Sequence, residues 1–118
     1  MMKNILEEIV QRKKEIVAEE KRRQPLLQLK ADIRPGGFRM ARRLRPQPWS
    51  LIAECKLQSP AKGRLCTRHT VTELAKIYEA NGASVLSVHT DPHFLGKNED
   101  IAAVRAAVDL PVLRKDFI

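Results

Sequence analysis

Leu51-Ile-Ala-Glu-Cys-Lys-Leu-Gln-Ser-Pro-Ala-Lys-Gly63 decides how this chain is read. Its first half is an apolar run of strand character, and side chains along a strand alternate between two faces. Leu51, Ala53, Cys55 and Leu57 then share one apolar face, suited to covering helices. Ile52, Glu54 and Lys56 share the other, which turns charged only at its C-terminal end. A parallel sheet buries both faces, so a carboxylate and an ammonium two residues apart belong where such a sheet meets solvent or a ligand. In barrels and open α/β sheets that place is the C-terminal edge.

Downstream, strand and helix alternate. The first strand is read over Ser50 to Leu57. Thr70 with Glu73 three residues on is a capping box, the helix it opens runs to Asn81, and Gly82 stops it. A strand is read over Ala83 to Thr90, a helix capped by Asn98 running to about Val108, and a third strand over Pro111 to Asp116. This β-α-β-α-β order is that of a parallel sheet with right-handed crossovers. It brings His89, Thr90, Lys115 and Asp116 to the same edge as Glu54 and Lys56.

Upstream, Asn4 and Glu7 fit a second capping box, and Ile5, Leu6, Ile9, Val10, Ile16 and Val17 recur at helical spacing. They predict an amphipathic helix over Ile5 to Arg23, ended by Pro25. Leu26 to Lys30 and Phe38 to Leu44 read as short helical turns, Arg34-Pro-Gly-Gly37 as a loop and Arg45-Pro-Gln-Pro48 as a linker. The expected organisation is a helical extension over 1–48 followed by a β/α region over 49–118.

A chain of 118 residues has room for one core. Its 43% hydrophobic and 31% charged residues mark a globular protein and exclude a disordered tail. No apolar run reaches the roughly 18 residues of a membrane span, and Glu7 and Glu8 interrupt any signal-peptide core, so the expected compartment is the cytoplasm. Two cysteines make no disulfide framework; Cys55 reads as a small buried residue and Cys66 as a loop thiol. His69, His89 and His93 form no metal-ligand pattern and read as surface or rim residues, and neither metal nor other cofactor is expected.

The net charge of +8 is concentrated upstream, with 13 Lys and Arg against 6 Asp and Glu up to Pro46. Such an excess attracts phosphate esters or nucleic acid, or simply solvates a helix face. With no nucleic-acid motif and only 4% aromatic residues for stacking, a nucleic-acid partner is not expected. From spacing alone, Glu54, Lys56 and Lys115 fit two readings equally: a rim ion pair beside a solvated cation, or a reaction site.

Leu51-Ile-Ala-Glu-Cys-Lys with Ser59-Pro-Ala-Lys-Gly63, then Ser87-Val-His-Thr-Asp91, then Pro111-Val-Leu-Arg-Lys-Asp-Phe-Ile118, resemble in order and spacing the N-terminal part of the indole-3-glycerol phosphate synthase family. The resemblance extends to the N-terminal helix and the Phe38 segment. It implies α/β architecture: part of a (β/α)8 TIM barrel, a β-α-β-α-β parallel sheet preceded by a helical extension. It also implies a lyase that closes the indole ring of a carboxyphenylamino-deoxyribulose 5-phosphate with loss of CO2 and water, in tryptophan biosynthesis. By the same resemblance Lys115 is the general acid and Lys56 holds the substrate carboxylate. Glu54 positions Lys56 and helps handle protons, Ser59 contacts substrate from the first loop, and Lys62 contacts an anion. Phe94 and Leu95 stand at the family's aromatic pair in the second loop, with Leu95 where the second aromatic is usual and Lys97 and Asn98 in place of Gly-Ser.

A TIM barrel needs about 250 residues, so the sequence is expected to be the N-terminal portion of a longer product, weak or inactive alone. The family's later catalytic glutamate and phosphate-gripping loops fall outside it. The expected partner is a phosphorylated small molecule. A non-catalytic module that self-associates or docks with a complementary barrel fragment through open sheet edges is the alternative.

Overall fold

The computed structural model describes residues 4–44 and 48–118, so the linker read at Arg45-Pro-Gln-Pro48 lies, but for Pro48, outside the described residues. Two compact units are present, one built on Met1–Gly37 and one on Phe38–Asp116. In the first, helix α1 spans Ile5–Arg23, with the bounds its sequence predicts. Asn4 Oδ1 accepts from the Leu6 N–H at 3.0 Å, one residue short of the Glu7 N–H that a capping box uses. Glu7 and Glu8 in the first turn and Lys21, Arg22 and Arg23 in the last match the helix dipole. Gln24 is extended, as the residue before a proline must be, and α2 (Leu26–Asp32) restarts beyond Pro25.

The second unit opens with α3 (Arg39–Leu44), entered through Phe38 at φ 53°. Arg39 donates to both the carbonyl and the side chain of Asp109, at 3.0 and 3.1 Å, and ties α3 to the turn before the last strand. The sheet contains β1 (Ile52–Cys55), β4 (Val85–His89) and β5 (Val112–Lys115), all parallel, in the order β1-β4-β5. Helix α4 (Val71–Ala80) links β1 to β4, and α5 (Glu99–Ala107) links β4 to β5. The Thr70–Glu73 capping box is closed on both sides, and Gly82 takes φ 90° just past α4. Asn98 precedes α5 but makes no side-chain cap bond, because its own backbone is already helical; the cap read from sequence is corrected there.

Ala53, Cys55, Leu86 and Val88 pack on one sheet face against Val71 and Ala75 of α4 and Val104 of α5. Each fully buried Val or Leu there contributes roughly 1.5–3 kcal/mol. The strand expected to reach Leu57 stops at Cys55, where the ladder with β4 ends at the Cys55↔Val88 pair. Beyond it the Leu57 carbonyl accepts from Leu65 and Cys66, at 2.8 and 3.1 Å, and the chain forms an antiparallel hairpin of β2 (Gln58–Ser59) and β3 (Gly63–Arg64). The resemblance implies only a first loop there. Among the described residues no helix is long and apolar enough to cross a membrane.

Candidate active site

Register assembles the site. Glu54 pairs with Ser87, which pairs with Leu113; one pleat further toward the C-terminal edge, His89 pairs with Lys115. In a parallel sheet paired residues point to the same side, so Glu54, Ser87, His89 and Lys115 share the face opposite the helices. Lys56, just past β1, joins them: its Nζ is 3.0 Å from Glu54 Oε1. The amines of residues 56 and 115 therefore belong to one face of the sheet.

Glu54 is the hub. Its Oε2 accepts from the Ser87 hydroxyl at 3.3 Å, and its backbone carbonyl accepts from the Tyr78 hydroxyl of α4 at 3.2 Å. His89 Nε2 lies 3.2 Å from the same Oε1 that Lys56 uses, near enough for charge attraction but off the line of a straight hydrogen bond. Burial by itself pushes the Glu54 carboxyl up, yet the contacts and charges of Lys56 and His89 outweigh it and hold the group below the ordinary carboxylate value. An anionic Glu54 fixes Lys56 while leaving donors on its ammonium, which carries three N–H bonds.

The loop after β4 closes over this cluster. Asp91, 1% exposed, accepts from the His93 N–H at 2.8 Å and sits 2.8 Å from His93 Nδ1, building a 3-10 turn over Pro92–Phe94. That turn lays the Phe94 ring on His89, with centroids 4.6 Å apart and planes 13° from parallel, and puts Lys56 Nζ 5.8 Å from the Phe94 centroid. Gln58 Nε2 donates to the His93 carbonyl at 3.2 Å and links hairpin and turn.

Placement sorts the other candidates. Lys115 is exposed on the shared face. The Ser59 hydroxyl accepts from the Lys62 N–H at 3.1 Å and so shapes the hairpin turn. Leu95, at φ 55°, leaves the cluster and lines a separate groove of about 440 Å³ with Leu57, Arg64, Arg68 and Lys97. The polar rim is also two clusters rather than one. Thr90 donates to Asp116 Oδ2 at 2.5 Å and accepts from Arg114 Nε at 3.0 Å, and Arg114 pairs with Val88 on the helix-covered face.

His89 lies at the edge that sequence places it on, beside Glu54, but at 5% exposure it is a buried member of the cluster rather than a surface or solvated rim residue. The signal available was alternation, since 54 and 56, 87 and 89, and 113 and 115 each lie two apart. Ser87 and the Asp91–His93 contact were missed because they require the register and the turn.

A parallel β/α sheet whose C-terminal edge gathers a carboxylate, two lysines and an imidazole has the construction of barrel enzymes, which place their chemistry at that edge. Residues 6–118 match the family model of indole-3-glycerol phosphate synthase. The chain is 40% identical to the indole-3-glycerol phosphate synthase of Shouchella clausii over 97% of its own length and 43% of the relative's. It is 43% identical to that of Legionella pneumophila over 99% and 46%. A segment covering 58% of the chain is 54% identical to the Nocardioides protein of the same name. The chain belongs to the indole-3-glycerol phosphate synthase family and has the α/β architecture of a partial TIM barrel. It spans about half the length of the curated relatives it matches.

Proposed function

We propose that this chain carries the ring-closing part of an indole-3-glycerol phosphate synthase site. The reaction closes the indole ring of 1-(2-carboxyphenylamino)-1-deoxyribulose 5-phosphate with loss of CO2 and water. The observation that carries this reading is the shared face of Lys56 and Lys115, with Glu54 anchoring the first at 3.0 Å. In the proposed roles, Lys115 donates a proton to the substrate carbonyl oxygen as the ring carbon adds to it. Lys56 pairs with the substrate carboxylate until CO2 departs, and Glu54 orients Lys56 and passes protons during dehydration. Phe94 offers its ring beside Lys56, and Ser59 and Lys62 contact substrate from the hairpin. The expected substrate is a phosphorylated small molecule and the expected compartment the cytoplasm.

Orientation of a phosphorylated substrate supplies much of such a rate, and the full family barrel is longer than this chain. Ring closure is therefore expected to be weak for the chain alone and to rise when the remaining strands of a family barrel are supplied. The assay is indole-3-glycerol phosphate formation, followed by its fluorescence. Lys115→Met and Lys56→Met are expected to abolish the rescued activity, and a rescued Lys115→Met protein at parental rate refutes the assignment. A non-catalytic module is the second reading, favoured by β1 and β5 each pairing on one side only among the described residues. Sedimentation tests it, since open edges predict self-association or capture of a complementary fragment, and a monodisperse monomer that binds neither argues against it.

A further inference from the structure

Lys56 and His89 approach the same carboxylate oxygen, Glu54 Oε1, at 3.0 and 3.2 Å, while Ser87 holds Oε2. Because Nε2 lies off the line of a hydrogen bond to Oε1, charge rather than a shared proton couples His89 to Glu54. Imidazole is the side chain whose ordinary ionisation lies near neutral pH. We propose that His89 is a positioning residue for Lys56: as imidazolium it takes a larger share of Oε1 and loosens the Lys56 ammonium toward substrate, and as neutral imidazole it returns Glu54 to Lys56. The proposal rests on the reading of Glu54 and Lys56 as the substrate-handling pair.

The surroundings of His89 make the exchange possible. Its side chain is buried, its ring is clamped by Phe94, and the loop behind it is fixed by the Gly96 N–H donating to the Asp91 carbonyl at 2.9 Å. The imidazole cannot swing away when it charges, so the carboxylate and the more flexible lysine take up the change. The charged groups facing it are Glu54 and Lys56 from β1 and its extension and Lys115 from β5. From its own connection come Asp91 and His93, whose ring is engaged with Asp91 at 2.8 Å.

The test is NMR on the intact chain. Selectively labelled Glu54 is followed through its carboxyl carbon, His89 through its ring nitrogens and Lys56 through the water exchange of its ammonium, all against pH. The Glu54 carbon is expected to show an inflection at the midpoint of the His89 titration, separate from its own protonation at acid pH, and the Lys56 ammonium, whose base-catalysed intrinsic exchange slows as pH falls, to lose protection relative to that intrinsic rate below the midpoint. His89→Gln retains an N–H donor but cannot ionise, so the inflection disappears; His93→Gln retains it. A Glu54 signal flat through the His89 titration of the parent chain overturns the proposal without any variant, as does an inflection that survives His89→Gln. Neither reading needs substrate. A coupled titration in a protein that stays inactive once the remaining barrel strands are supplied defeats the lyase reading and leaves the Glu54 linkage standing, whereas uncoupled titration in a protein that the strands make active defeats the positioning role alone.

Discussion

Replacing Gly96 with alanine tests the packing that closes the site. A Cβ at this position lies 2.4 Å from the His89 carbonyl oxygen, 2.5 Å from its carbon and 2.7 Å from Thr90 Cα. All three are backbone atoms at the end of the central strand, so no side chain can rotate out of the way. If the strand yields, it distorts next to Val88, which is fully buried, and overpacking of this kind costs about 1–3 kcal/mol. If the loop yields, it forfeits the Gly96 N–H bond to Asp91 and the Phe94–His89 stack. One net hydrogen bond is worth about 0.5–1.5 kcal/mol and one aromatic pair a similar amount. Either route gives about 2 kcal/mol. At about 4–8 °C per kcal/mol for a domain of this size, the melting temperature falls by roughly 8–16 °C. The assay is thermal unfolding by circular dichroism with Gly36→Ala as the control, because a Cβ at Gly36 meets nothing within 4 Å. A Gly96→Ala protein melting alongside the Gly36→Ala control refutes the close approach.

Three further outcomes follow from the same structure. Thr70→Ala removes the hydroxyl that accepts from the Glu73 N–H at 3.2 Å and is expected to lower stability by about 1 kcal/mol, read from a urea midpoint; an unchanged midpoint shows that α4 does not depend on its cap. Burial, reinforced by the charges of Glu54 and Asp100, pushes the Cys55 thiol up from 9.0 to about 11. The unfolded chain therefore releases this proton first, and stability declines as pH rises through that interval, a slope that Cys55→Ala removes. A thiol reagent at pH 8 should label Cys66 in the native protein and Cys55 only after unfolding, and rapid native labelling of Cys55 contradicts its burial.

The sequence by itself determined most features encoded within a few neighbouring residues, though not the cap bonds read at Asn4 and Asn98. The limits of α1 were legible because Pro25 breaks a helix locally, and the start and stop of α4 because Thr70, Glu73 and Gly82 act on their own turns. The two faces of β1 followed from alternation, which placed Glu54 away from the core-facing Ala53 and Cys55. Tertiary structure alone decided the rest. The hairpin of β2 and β3 has two residues per strand, too few for a periodic signal, and depends on the Leu57 carbonyl meeting Leu65 and Cys66. His89 became a buried neighbour of Glu54 only through the Glu54↔Ser87 register, which links residues 33 apart in the chain. Register between parallel strands is set by how the crossover helices pack, and the ring of Phe94 reaches His89 only because Gly96 lets the loop touch the strand. Neither the packing nor the touch is a property of any short stretch of sequence, which is why the edge that His89 shares with the charged pair could be read from the residues and its burial against Glu54 could not.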